Sequence, residues 1–61
     1  METKEIFGVR ELTDYLGLSE KTVRNLIKDK EIPYFKIKSL YKFSRESIDS
    51  WVRERISYED L

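Results

Sequence analysis

The sequence predicts a small α+β domain that is mostly helical, with the order helix, turn, helix, β-hairpin, helix. Apolar residues recur three and four positions apart in three segments, which is the spacing of one helix face. Gly17 and Ser19 fall between the first two segments, where a helix must end and another begin. Between the second and third segments the apolar period changes to two, which is typical of a half-buried hairpin.

Length and composition limit how such a domain is stabilised. The chain has 61 residues with no Cys and no His, so packing must replace disulfides and zinc sites of the Cys/His kind. We expect one domain over residues 6–56, a flexible N-terminus over 1–5 and a frayed tail over 57–61. The charged start METKE resembles neither a signal peptide nor a membrane span, so we expect a cytoplasmic protein without membrane contact.

The first helix is predicted over residues 9–16, "VRELTDYL". Gly8 is a permissive N-cap, and Glu11 stands at the third position of the helix, where its carboxylate can reach back to the cap. Gly17 ends the helix because glycine adopts the left-handed conformation at little cost. The residues predicted to face the core are Val9, Leu12, Tyr15 and Leu16.

The second helix is predicted to begin after Ser19 and to run to about Lys30. Ser19 caps it, and Glu20 complements the positive N-terminal end of the helix dipole. Its buried stripe is predicted to be Val23, Leu26 and Ile27. The residues left on the outer face are Lys21, Arg24, Asn25 and Lys28.

The hairpin is predicted within "EIPYFKIKSLYKFS". Pro33 blocks continuation of the helix, and Tyr34 is expected to point outward. The residues expected to face the core are Phe35, Ile37, Tyr41 and Phe43. For the aromatics Phe35, Tyr41, Phe43 and Trp51, the core is preferred to a base-stacking platform. The loop is expected to hold Lys38, Ser39 and Leu40, with Leu40 packed rather than entering a groove.

The third helix is predicted to begin after Ser44, which caps it. Ile48, Trp51 and Val52 are expected to face the core. The aliphatic stem of Arg55 is expected to lie beside them.

The formal net charge of zero conceals a strong segregation of charge along the chain. Residues 21–45 hold eight basic and two acidic residues, an excess of six positive charges. Residues 1–20 and 46–61 each hold two basic and five acidic residues, which leaves three negative charges on each flank. The central segment therefore suits an anionic partner.

Two short helices joined by a tight turn, the second with a basic and amide-bearing outer face, are suited to placing side chains in the major groove of DNA. The alternative is that this polar face is only solvated and binds nothing. The turn, the apolar pattern and the basic hairpin together favour contact with DNA. Arg24 is a candidate for bidentate contact with guanine and Asn25 with adenine, and Lys21 and Lys28 are further candidates for contacts in the major groove. The candidates for phosphate contacts are Ser19, Thr22, Lys36, Lys38, Ser39 and Lys42.

The chain resembles the excisionase-type branch of the MerR-like winged-helix superfamily. "YLGLSEKTVRNLIKDKEIP", then "FKIKSLYKF" and "SRESIDSWV", carry the resemblance, which covers roughly residues 6–55. It implies DNA binding by a small regulator or recombination directionality factor, with the second helix in the major groove and the hairpin wing on the adjacent minor groove or backbone. Where the family's wing commonly turns on two glycines and a basic residue, this chain has Lys38, Ser39 and Leu40.

The functional classes that compete with DNA binding are an enzyme and a protein-interaction module. The chain lacks His, Cys and a glycine-rich phosphate loop, so we expect no enzyme, no catalytic residue, and no cofactor or metal site. The alternative is a protein-interaction module that docks a recombinase (integrase) or an RNA polymerase subunit. No heptad repeat follows Trp51, so we expect a monomer in solution that binds cooperatively to tandem DNA sites.

Overall fold

The computed structural model of the protein describes residues 5–56 and confirms an α+β winged helix-turn-helix. Its elements are β1 (Ile6–Phe7), α1 (Val9–Leu16), α2 (Glu20–Lys28), β2 (Phe35–Ile37), β3 (Leu40–Ser44) and α3 (Arg45–Arg55). The short strand β1 is an addition to the predicted order. The predicted flexible N-terminus and frayed tail lie outside the described residues, apart from Glu5, whose carbonyl accepts a hydrogen bond from the Arg45 backbone N–H at 2.8 Å.

The turn between α1 and α2 forms as the local sequence predicts. The Gly8 backbone N–H donates to Glu11 Oε1 at 2.9 Å, and α1 begins after it. Gly17 adopts φ 71°, and its N–H donates to the Thr13 carbonyl at 2.8 Å. The Leu18 N–H donates to the same carbonyl at 3.1 Å. These bonds satisfy donors and acceptors that a helix end leaves open, so the turn is set by local interactions.

Helix α2 is two residues shorter than predicted. Ser19 Oγ accepts the Thr22 N–H at 3.1 Å, which confirms the predicted cap. The helix ends at Lys28 because Lys30 adopts φ 58° and the Glu31 N–H turns back to the Leu26 carbonyl at 2.9 Å. A left-handed residue cannot continue a right-handed helix.

The three strands form one antiparallel sheet in the order β1-β3-β2. Opposed residues share a sheet face. In β1 and β3, Phe7 pairs with Phe43. The other pairs are Ile6 with Ser44, Phe35 with Lys42, Lys36 with Tyr41 and Ile37 with Leu40. The core face therefore carries Phe7, Lys36, Tyr41 and Phe43, and the outer face carries Ile6, Phe35, Ile37, Leu40 and Lys42.

The predicted orientation of β2 is wrong. Phe35 and Ile37 were expected in the core, but they are 38% and 51% exposed on the outer face. Tyr34, expected to point outward, packs against the core and meets Tyr41 edge to face with ring centroids 5.5 Å apart. The period of two was correct, but pairing with β3 decides which residues face inward.

The hairpin loop is shorter than predicted. Leu40 pairs with Ile37 in the sheet, so the loop contains only Lys38 and Ser39. Lys38 adopts φ 58°, a conformation that costs a non-glycine residue roughly 1–2 kcal/mol.

The core lies between the sheet and the three helices of the described residues. Phe7 and Ile32 belong to it, although neither was predicted there. Tyr41 and Phe43, as predicted, face it. The buried residues are Phe7, Leu12, Val23, Ile27, Ile32, Phe43 and Ile48. The residues packed against them are Val9, Leu16, Leu18, Leu26, Tyr34, Tyr41, Trp51 and Val52.

Tyr15 is a further correction, because it is 44% exposed. Its ring contacts Phe7 with centroids 4.7 Å apart, and its hydroxyl donates to Asp49 Oδ1 at 2.6 Å. The nearby Tyr15 hydroxyl is also the largest cause that raises the pKa of Arg45 above its ordinary value. Tyr15 thus ties α1 to α3 at the surface.

Helix α3 is anchored to the segment that follows α2. Ser44 Oγ accepts the Ser47 N–H at 3.3 Å, as predicted for its cap. Trp51 Nε1 donates to the Glu31 carbonyl at 2.6 Å. The Arg55 guanidinium stacks on the indole, 4.4 Å from its centroid, and lies 3.8 Å from a Glu31 carboxylate oxygen. Trp51 therefore connects α3 to the end of α2.

None of the helices within residues 5–56 has both the length and the apolar composition needed to cross a membrane.

Candidate nucleic-acid interface

The exposed face of α2 carries five of the predicted site residues. At 3.6 residues per turn, burial of Val23 and Ile27 turns the opposite side of the helix to solvent. Lys21 and Asn25 lie near the middle of that side. All five residues are exposed: Lys21, Thr22, Arg24, Asn25 and Lys28. The structure therefore brings together cationic and amide side chains on one accessible surface.

Ser19 and Thr22 are engaged with each other at the start of α2. Besides accepting the Thr22 N–H, Ser19 Oγ donates to Thr22 Oγ1 at 2.9 Å. Both residues are exposed. Their first role is therefore to cap the helix, and their contact with phosphate stays a prediction.

Arg24 is held by Glu20. From the sequence, Glu20 was expected only to complement the positive end of the helix dipole. Arg24 Nε and Nη2 donate to Glu20 Oε2 at 3.2 and 2.9 Å. The two side chains are 56% and 57% exposed, and exposed pairs of this kind contribute about 1 kcal/mol or less. The guanidinium can therefore exchange Glu20 for another acceptor. The spacing of four residues between acid and base was the signal that could have indicated this pair.

A shallow depression of about 240 Å³ separates α2 from the hairpin and is lined by Arg24, Ile27, Lys28 and Tyr41. Ile27 is buried and Tyr41 half-buried, whereas the two cationic residues are exposed. On the hairpin side, Lys36 Nζ lies 5.2 Å from the centroid of the Tyr41 ring. Cations from two elements therefore flank this depression, which suits an anionic group. Tyr41 was predicted only as a core residue.

The remaining hairpin candidates lie in two places. Lys38 and Ser39 form the exposed loop at the tip. Lys42 lies on the outer face of the sheet, opposite to Lys36, and its Nζ is 3.7 Å from the position a Cβ would take at Gly8. The structure does not bring Lys42 together with the α2 residues, and its predicted phosphate contact stays untested.

Leu40 is not the packed loop residue that was expected. It is 58% exposed and stands beside Ile37 at the last pair of the hairpin. The tip of the hairpin therefore presents two aliphatic side chains to solvent.

The arrangement of the described residues contains no preformed metal site. Within residues 5–56, no group of three or more potential ligand side chains is clustered so that it can hold a metal ion.

Comparison with known proteins gives one match. A family model described as a helix-turn-helix domain matches residues 6–56. No curated protein and no solved structure gives a significant match.

Proposed function

The chain belongs to the helix-turn-helix domain family, and from this premise we propose that it binds double-stranded DNA at specific sequences. In this proposal α2 lies in the major groove, and the hairpin wing lies on the adjacent minor groove or the backbone. The protein acts by occupying or shaping its site and carries out no chemistry of its own.

The observation that carries the proposal is the depression between α2 and the hairpin. One phosphodiester strand separates a major groove from its neighbouring minor groove, so a protein that enters both must straddle that strand. Arg24 and Lys28 stand on the helix side of the depression, and Lys36 stands on the hairpin side. Lys28 and Lys36 can neutralise phosphates of the strand between the grooves, and Arg24 can do so on DNA that lacks its base contact.

The remaining α2 side chains have roles that follow from their chemistry. Asn25 presents a donor and an acceptor that match the major-groove edge of adenine, and Arg24 presents two donors that match guanine. Lys21 and Lys28 flank them as phosphate contacts that set the register of the helix on the duplex.

We further assign the protein to the excisionase-type branch of the MerR-like winged-helix superfamily, as a recombination directionality factor or a transcriptional regulator. The sequence resemblance across the helices and the wing supports this assignment. The protein partner would accordingly be an integrase-type recombinase or RNA polymerase, bound beside the DNA site. A monomer in solution that binds tandem sites cooperatively belongs to the same proposal.

Replacing Arg24 with alanine tests the proposed readout. A duplex selected in vitro from random sequences by the wild-type protein serves as the target. Arg24→Ala should weaken binding to that duplex by about 1–3 kcal/mol and relax the preference at one base pair. The melting temperature should hardly change, because Arg24 is exposed. Arg53→Ala, at an exposed position of α3, is the matched control and should bind normally. Equal binding by both variants would contradict the placement of α2 in the major groove.

Glu20 should weaken non-specific binding to DNA, because its carboxylate competes with phosphate for Arg24. Glu20→Gln is expected to tighten binding to mixed-sequence duplex by about 0.5–1 kcal/mol, which is at most the value of the exposed ion pair. It should also lower the free energy of unfolding by about 0.3–1 kcal/mol through the helix dipole. Glu46→Gln removes an exposed acid from the first turn of α3 and should reproduce only the stability loss. Gel-shift titration and urea unfolding measure the two effects, and unchanged affinity of Glu20→Gln would refute the competition.

A further inference from the structure

The tip of the hairpin has an unusual surface. Ile37 and Leu40 are the most exposed large hydrophobic residues in the part of the chain that the structure describes. They face each other across the last strand pair, immediately before the loop of Lys38 and Ser39. Solvent-exposed aliphatic side chains gathered at a protruding tip are a common mark of an interaction surface.

The surroundings of this tip are entirely basic. Residues 32–45 contain four basic residues and no acidic one. Lys36 and Lys38 flank Ile37 in the chain, and Lys42 lies on the same sheet face as Leu40. A partner for this surface must therefore combine an apolar contact with negative charge on both sides.

We propose that Ile37 and Leu40 form a wedge that enters the DNA minor groove and partly unstacks one base step. The inference rests on the proposed function and adds a way of recognising DNA that the basic residues do not supply. A minor groove has phosphate walls about 6 Å apart, and aliphatic side chains inserted there kink the duplex by about 20–90°. Lys36 and Lys38 contact the phosphates on either side of the wedge.

Continuity with the proposed interface favours DNA over a protein as the occupant. Tyr41 in the hairpin lines the depression next to α2 and directly follows Leu40 in β3, with its side chain on the opposite face of the sheet. A stable protein contact needs roughly 800 Å² on each partner, whereas the tip offers two side chains and a two-residue loop. The other exposed apolar residues of the outer face, Ile6 and Phe35, lie toward the body of the domain.

The wedge predicts sequence preference at a position that no side chain reads by hydrogen bonding. Pyrimidine–purine steps such as TA and CA unstack most easily. The adjacent minor groove faces the protein half a helical turn, about 5 base pairs, from the centre of the major-groove contact. Sequences selected by the wild-type protein should therefore carry such a step at that distance from the bases read by α2.

The test uses the full chain and a selected duplex with 2-aminopurine at the flexible step and dyes at both ends. Wild-type protein should raise the 2-aminopurine fluorescence severalfold and shorten the end-to-end distance. The double variant Ile37→Ala/Leu40→Ala should lose both signals and bind about tenfold more weakly. Ile6→Ala, on the same face but away from the tip, should behave like wild type. Circular dichroism of each variant establishes that it is folded.

Each other outcome overturns the wedge. Binding by the wild-type protein without unstacking or bending would overturn it and leave the proposed DNA binding intact. Equal signals from the wild type and the double variant would also overturn the wedge and leave the proposed DNA binding intact. The exposed aliphatic pair would then be assigned to contact with a protein. An absence of binding to any duplex would overturn the wedge and the proposed function together.

Discussion

Replacing Trp51 with alanine should cost about 3–5 kcal/mol of folding free energy, the range for removing a large aromatic side chain from a core. The indole packs against the core and donates its N–H to the Glu31 carbonyl at 2.6 Å. Truncation would leave both a cavity and an unpaired carbonyl. Because a domain of this size is marginally stable, the variant should be largely unfolded at 37 °C.

Urea unfolding followed by far-UV circular dichroism measures this loss without relying on tryptophan fluorescence. Trp51→Phe keeps most of the packing but removes the N–H donor of a solvent-accessible hydrogen bond, so it should lose about 0.5–1.5 kcal/mol. Arg55→Ala removes only an exposed stacked cation and should lose about 1 kcal/mol or less. Full stability of Trp51→Ala would show that the indole does not hold α3 to the rest of the domain.

The same variants separate folding from DNA recognition. Trp51 holds the segment that directly follows α2, so its loss should abolish DNA binding together with the fold. Arg24→Ala should weaken binding and leave the fold intact. A loss of stability in Arg24→Ala well above about 1 kcal/mol, the most that its exposed ion pair with Glu20 contributes, would give Arg24 a structural role in α2.

The second large effect is the response of DNA binding to salt. Basic residues cluster on α2 and at the hairpin, and we expect about four to six phosphates to be neutralised. Each neutralised phosphate contributes about −0.9 to the slope of log affinity against log salt. The slope should therefore be about −3 to −6, and a rise from 50 to 200 mM salt should weaken binding by about 60- to 4,000-fold. The candidates on the described surface are Lys21, Arg24, Lys28, Lys36 and Lys38.

The helices were predictable because their signals are local. Gly8 and Ser44 precede their helices as caps, and Gly17 and Ser19 mark the turn between α1 and α2. Each acts on backbone groups within a few residues, so no knowledge of the tertiary fold is needed. The end of α2 was harder to predict from the sequence. Lys30 adopts the left-handed conformation there, although it is not a glycine.

The faces of the sheet were not predictable from period alone. A period of two fixes which residues alternate but not which set points inward. Phe35 faces outward because it pairs with Lys42, a partner seven positions away. Phe7 escaped prediction because β1 has only two residues, too few to show any period, and Ile32 stands alone between α2 and the hairpin.

The candidate site was predicted more fully on α2 than on the hairpin. Burial of Val23 and Ile27 determines which α2 residues are outside, and the helical period reveals that from sequence. Lys36 and Lys42 alternate with apolar residues in the same way, yet the structure puts them on opposite faces. Only the strand register shows that Lys36 lies on the face that carries Tyr41 and that Lys42 lies on the opposite face.

Titration of a fluorescent duplex with wild-type protein at several salt concentrations shows directly whether the basic surface of α2 and the hairpin binds duplex DNA. We expect binding at low salt and a log–log slope of about −3 to −6. A flat response to salt, or no binding to a long mixed-sequence duplex at low salt, would contradict that expectation.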